Sequence, residues 1–308
     1  NAGAHVLITG RNLTKAKALR NDIRSYLPQA SINIMPATQL PRATAIVVNG
    51  TPLGMYPNEH VSPLEKLPIG TEYVFDTIYN PPETALMKLA PRSVKTRNGL
   101  LMLVLQAAYA QTIWFGTQFD SADLTRILRL LSGDMAKKRL HDVYGKQNIV
   151  LCGFMGSGKT TIGRKLARAL QYEFVDMDDY LEKREGKKIS DIFAEIGESG
   201  FRDIETDCAR EISDRIGCVI ALGGGAVLRQ TNVALYKKNG LLIHLNTPFY
   251  RIVQNLSRDT SRPLLQGEDA EEKIRTLLGK REDLYEAAAD IVIPVDALTP
   301  EEAAEQIC

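Results

Sequence analysis

Tryptophan occurs once in these 308 residues, and histidine and cysteine only four times each. The cysteines (Cys152, Cys208, Cys218 and Cys308) stand far apart, with no C-x-x-C pair and no histidine at ligand spacing. That argues against a disulfide-stapled secreted scaffold and against a zinc site, and fits reduced thiols in a cytoplasmic protein. Charge of one sign is also missing: 38 basic residues face 37 acidic ones, a net of +1. A dedicated nucleic-acid or polybasic membrane binder would carry a clustered excess of Lys and Arg. No apolar run approaches the roughly 18 residues of a membrane span, and no secretory signal opens the chain. What is present is ordinary globular material, 44% hydrophobic and 24% charged. It is long enough for two domains, each with a core of its own.

The chain opens on Asn1, and NAGAHVLITGR reads as the last turn of a helix, a glycine exit and a strand in full stride. A preceding segment is therefore expected. Strands are predicted at His5–Thr9, Ile32–Met35, Ala45–Asn49, Tyr73–Thr77 and Val94–Thr96. Amphipathic helical patterns fall at Leu13–Tyr26, Glu83–Leu89 and Leu100–Phe115, and a further helix at Ser121–Leu131. Such alternation means an α/β domain with a parallel sheet. Residues 133–146 are polar, contain no strand, and read as a linker or docking helix. The expected domains are thus 1–132 and 147–308, and the second restarts the alternation with NIVLCGF.

Just after that strand stands Gly153-Phe154-Met155-Gly156-Ser157-Gly158-Lys159-Thr160, matching G-x-x-x-x-G-K-[ST]. The context is the one the mechanism requires, an apolar strand running in and a helix from Thr161 leaving. Glycines let backbone N–H groups converge on phosphates, and the helix N-terminus adds partial positive charge. Lys159 can reach the β- and γ-phosphates, and the Thr160 hydroxyl can hold Mg²⁺. This segment binds a nucleotide.

The acceptor must be read elsewhere. Asp176 and Asp178 follow the second strand of this half, at the edge where α/β sheets bind ligands. Read as extended chain, period two puts both on one face. One carboxylate can serve Mg²⁺ and the other accept a proton from an attacking hydroxyl. Equally, Asp178 or Asp179 can simply cap the next helix. Further on come GESGFRDIE with Arg202, then Gly223-Gly224-Gly225 after a strand. The polar SRDTSRPLL, with Arg258 and Arg262, has the composition of a lid, and KREDLY contains Arg281. Taken singly, each arginine reads as a solvated surface residue.

In order and spacing, these blocks resemble shikimate kinase from Asn148 to the C-terminus. The resemblance implies a nucleoside-monophosphate-kinase-like P-loop fold that moves the ATP γ-phosphate to the 3-hydroxyl of shikimate. It implies catalytic Asp178, Lys159 and Arg262, with Gly156, Ser157, Gly158, Lys159, Thr160, Thr161, Arg258 and Arg262 around ATP. Thr160 and Asp176 would serve Mg²⁺. Asp178, Arg202, Gly224, Gly225 and Arg281 would hold shikimate, the arginines forking its carboxylate. One departure is that Asp296–Pro300 offers no arginine over the adenine, as some members do. The alternatives are a gluconate or nucleoside-monophosphate kinase of the same fold, or a nucleotide-binding module without catalysis.

In the front half, Arg11 ends the VLITG strand with Asn12 and Lys15 beyond it, the position where dinucleotide folds choose between ribose 2′-hydroxyl and 2′-phosphate. An arginine there reads as NADP, although a strand-end arginine is commonly just solvated. The blocks VNGTPLGM, FDTIYNP and NGLLMLVLQ follow, and over residues 1–132 they resemble the cofactor half of shikimate dehydrogenase. Gly50 and Leu101 stand where Ala and Gly are commoner in that family. The resemblance implies Asn49, Thr51, Ile78, Gly99 and Met102 near the nicotinamide, and Tyr79 and Gln106 on the substrate. It also implies an incomplete Rossmann-like domain, because the pyrophosphate loop, the first and central strand and the substrate domain would precede Asn1. The chain as written is expected to phosphorylate shikimate and not to reduce 3-dehydroshikimate. The reactants are small molecules, with no nucleic acid or membrane partner, and room is left for an intramolecular or dimeric contact between the halves.

Overall fold

Asn148–Cys152 is buried along its whole length, because it forms the middle strand of a sheet covered on both faces. The computed structural model describes residues 3–40, 44–257, 270–296 and 298–307. These fall into two units, Asn1–Leu128 and Arg129–Cys308.

In the second unit, β6 (Asn148–Cys152), β7 (Glu173–Asp176), β8 (Cys218–Ala221), β9 (Gly240–Asn246) and β10 (Ile291–Pro294) pair in the order β10-β9-β6-β8-β7. Every ladder is parallel. Period-two alternation divides each strand between two cores. Val150, Cys152, Ile220 and Leu242 join one cluster with helices α7 (Ile189–Ser213) and α8 (Gln230–Asn239). Ile149, Leu151, Val219 and Ile243 join the other, with α5 (Lys159–Leu170) and α12 (Pro300–Ile307). The parallel arrangement brings the carboxyl ends of all five strands to one edge, and the loop after β6 is on it. Among the described residues no helix is long and apolar enough to cross a membrane.

The stretch read as linker is helical. Helix α4 runs unbroken from Ser121 to Tyr144, through the expected stop at Leu131. Ala136 and Leu140 are buried in the second of those clusters, which makes this part of α4 a docking helix of the second unit. The boundary between units accordingly falls inside α4, at Leu128–Arg129, rather than at 132.

The first unit contains β1 (Val6–Ile8), β2 (Ile32–Ile34), β3 (Ile46–Asn49), β4 (Tyr73–Asp76) and β5 (Lys95–Arg97). Helices α1 (Leu13–Tyr26), α2 (Ala85–Lys88) and α3 (Leu100–Phe115) alternate with them, so the unit is α/β. The strands form two parallel sheets, β1-β2 and β3-β4-β5, and no ladder joins them among the described residues. The expected strands shorten by a residue at several ends, and Val94–Thr96 shifts to Lys95–Arg97.

Candidate active site

The loop between β6 and α5 turns through Gly153, Gly156 and Gly158, all at positive φ, and delivers the α5 N-terminus to the carboxyl edge of the sheet. It lines a cavity of about 550 Å³. Lys159 Nζ folds back to donate to Gly153 O and Phe154 O, both at 2.9 Å. Thr160 Oγ1 donates to Asp176 Oδ2 at 2.7 Å. Asp176 closes β7 and is the N-cap of α6 (Met177–Glu185), its Oδ1 accepting from Asp178 N at 3.2 Å.

Asp176, Asp178 and Asp179 all face the same cavity. The pairing is as expected, but the geometry behind it is not. β7 ends at Asp176, so Asp178 lies in the first turn of α6 and not on an extended segment. Asp176, and not Asp178 or Asp179, is the residue that caps this helix.

Opposite stands an acceptor wall built from three distant segments. Arg202 is on α7, beyond a kink at Gly197, and its side chain is only 11% exposed. Its Nη1 donates to Glu205 Oε2 at 2.8 Å, while its buried Nε has no hydrogen-bond partner among the described residues. Gly223–Gly225 follow β8, and Gly223 and Gly225 stand in close approach to side chains of the site. A Cβ at Gly225 would lie 2.3 Å from Arg202 Nη2, and one at Gly223 only 2.5 Å from Asp178 Oδ1. Arg281 precedes α11 (Glu282–Ala288) and donates from Nη1 to Gly224 O at 3.3 Å. The glycine turn thus touches Asp178, Arg202 and Arg281 together.

Glu205 was not expected. Burial pushes its carboxyl above the usual range, Arg202 pulls it back by charge and hydrogen bond, and the Asp178 charge adds to the rise. The i, i+3 spacing from Arg202 on a helix was the signal available in the sequence.

The far end of the cavity is walled by Thr247, Arg251, Asn255, Val295, Leu298 and Pro300. Arg251 lies on α9 (Phe249–Ser257). It donates to Asp296 O at 2.6 Å, to Leu298 O at 2.9 Å and to Val295 O. Asn255 Nδ2 donates to Gly156 O at 2.8 Å.

The shikimate kinase family model matches residues 155–308. A shikimate kinase of Thermodesulfovibrio yellowstonii is 48% identical over 161 residues, which are 52% of this chain and 92% of that protein. The solved structure of a shikimate kinase from Acinetobacter baumannii in complex with shikimate is 39% identical. The likeness covers 56% of this chain and 94% of that one, with a TM-score of 0.51.

The chain belongs to the shikimate kinase family.

Membership makes it a phosphotransferase, and sets aside gluconate and nucleoside-monophosphate kinases. In the shikimate kinase unit, Gly156–Thr161, Asp176, Asp178 and Gly224 share one cavity, while Arg202, Gly225 and Arg281 meet around Gly224. Arg258 and Arg262 lie outside the described residues. Among the described residues no three His, Cys, Asp or Glu side chains gather to hold a metal.

The first unit has a slight likeness to a shikimate dehydrogenase in complex with NADP+, 34% identical over 40% of this chain and 45% of that one, with a TM-score of 0.36, too slight to assign it. A cavity of about 500 Å³ lies against β4, β5 and α3, and Met102 and Gln106 line it with Arg97 and Asn98. The other residues expected around NADP do not line this cavity. Asn49 is buried, donating to Asp76 Oδ1 at 3.0 Å and accepting from the Thr51 hydroxyl at 2.7 Å. Ile78 is buried, Gly99 is the N-cap of α3, and Tyr79 is exposed. Asn12 caps α1 through Lys15 N at 3.0 Å, and the Arg11 and Lys15 side chains are exposed.

Proposed function

We propose that the second unit transfers the γ-phosphate of ATP to the 3-hydroxyl of shikimate, in the following arrangement. The α5 N-terminus and the backbone of Gly156–Thr161 cradle the phosphates. Lys159 exchanges its two carbonyl partners for phosphate oxygens. The Thr160 hydroxyl and Asp176 carboxylate are hard oxygen donors suited to Mg²⁺, which usually takes one or two protein ligands beside phosphates and water. When bound, the ion supplies charge neutralisation at the β- and γ-phosphates. Asp178 accepts the proton of the acceptor hydroxyl, and Arg202 and Arg281 fork the shikimate carboxylate across Gly224 and Gly225. Arg258 and Arg262 complete the charge on the transferring group.

The observation that carries this reading is the convergence of Asp178, Arg202 and Arg281 on one glycine turn, on the cavity that holds the phosphate loop. A coupled assay offering shikimate, gluconate and AMP tests it, shikimate alone being turned over. Arg202→Ala and Arg281→Ala should each raise KM for shikimate by roughly 10- to 100-fold. A change confined to KM for ATP would refute the acceptor wall. Three free buried cysteines, Cys152, Cys208 and Cys218, support a reducing compartment and with it a cytoplasmic location.

For the first unit we propose NADP recognition, supported by exposed Arg11 and Lys15 at the carboxyl end of β1. Calorimetric titration with NADP and NAD tests it. A preference for NADP that Arg11→Ala abolishes is expected, and equal or absent binding refutes it.

A further inference from the structure

Tyr285, within the KREDLY segment, has no role in the arrangement so far, yet it touches both halves of the acceptor wall. Its side chain is among the largest that are fully buried, at 1% exposure. The hydroxyl donates to Gly224 O, the same carbonyl that takes the Arg281 guanidinium. Burial pushes its pKa up to about 12, so it remains a donor. The ring stacks on His244 of β9, with centroids 5.4 Å apart and planes 26° from parallel. His244 is itself buried, so the ring has a fixed support.

Gly224 also lies near the phosphate loop. A Cβ there would lie 3.6 Å from Met155 N of the phosphate loop and 3.9 Å from Tyr285 Oη. The turn after β8 therefore lies beside both the phosphate loop and this hydroxyl. Arg281 and Gly224 lie 57 residues apart in sequence, and only a tertiary contact can set their relative position. Phosphoryl transfer depends on such spacing, since a misplacement of about 1 Å can cost on the order of 10²-fold in rate.

We propose that Tyr285 is a positioning residue for the acceptor, its hydroxyl locking Gly224 and the Arg281 guanidinium into one unit at a set distance from the phosphate loop. The proposal rests on the assignment of Arg281 and Gly224 to the shikimate carboxylate. Substrate contact falls to those two residues, and Tyr285 acts through them.

Tyr285→Phe keeps the ring and its stack on His244 and removes only the hydroxyl. Steady-state kinetics, shikimate calorimetry and thermal melts should be run on this variant, on Arg281→Ala and on the double variant. Tyr285→Phe should raise KM and Kd for shikimate by roughly 5- to 20-fold. KM for ATP should stay within about twofold and the melting temperature within a few degrees. In the Arg281→Ala background the further loss should shrink to less than about half, because the two residues share one task. An unchanged shikimate affinity in Tyr285→Phe beside an impaired Arg281→Ala would overturn the proposal and leave the acceptor wall standing. Equal weakening of both substrates together with a lowered melting temperature would also overturn it, making Tyr285 a core residue only. If Arg281→Ala itself left shikimate affinity unchanged, the acceptor assignment would fall, and the positioning role with it.

Discussion

The Thr160 hydroxyl donates to Asp176 across 2.7 Å, joining the first turn of α5 to the cap of α6. The two oxygens that suit Mg²⁺ are thus held together by a bond one of them must release or share. Asp176→Asn keeps the shape and removes the charge. It should raise the Mg²⁺ concentration for half-maximal activity by roughly 10- to 100-fold. A magnesium titration at saturating ATP and shikimate is the measurement, and an unchanged midpoint would reduce Asp176 to a helix cap.

Asp178 lies in the first turn of α6 but does not cap it, so its carboxylate is not committed to that helix end. Asp178→Asn should lower kcat by about 10²-fold or more, in line with general-base contributions. Nucleotide binding, followed by calorimetry, should survive. Near-normal turnover would show that Asp178 merely favours the positive end of the helix.

Arg251 ties three carbonyls, at Val295, Asp296 and Leu298, that shape the far end of the cavity. Arg251→Ala would leave those groups without their donor and loosen the wall. KM for ATP should rise by roughly three- to tenfold, with KM for shikimate unchanged. A kinetic matrix over both substrates separates the two, and a shikimate effect of equal size would count against a nucleoside role.

His244 is buried beneath Tyr285, and burial aided by Lys159 lowers its pKa from 6.5 to about 4. Between those values the unfolded chain binds a proton that the folded one refuses. Stability therefore rises with pH across that window and is lost as pH falls from 6.5 toward 4. The share lost is up to about 3 kcal/mol. His244→Phe retains a ring against Tyr285 and should flatten this part of the profile. Chemical denaturation at a series of pH values tests it, and parallel wild-type and variant profiles would assign the acid loss to other groups.

Much of this protein was legible in local pattern. Helices Leu13–Tyr26 and Leu100–Phe115 form with the bounds their periodicity predicts, and the buried run before Gly153 is the central strand. The phosphate loop was equally plain, because its glycines, lysine and hydroxyl act within eight consecutive residues. Elements set by neighbours in sequence need no partner from afar to declare themselves.

Other features depended on contacts that sequence distance hides. Helix α4 continues past Leu131 because Ala136 and Leu140 find a core to enter, which no local polarity reveals. Asp178 leaves the strand because the Asp176 side chain starts a helix two residues earlier than alternation implied. Glu205, Arg251 and Tyr285 look like a surface acid, a surface base and a core aromatic until folding sets them against Arg202, the 295–298 backbone and Gly224. Residue type and spacing along the chain determined which chemistry was available. The parallel sheet decided which groups meet, because it brings segments separated by tens of residues to one edge, and burial there made each polar side chain find a partner.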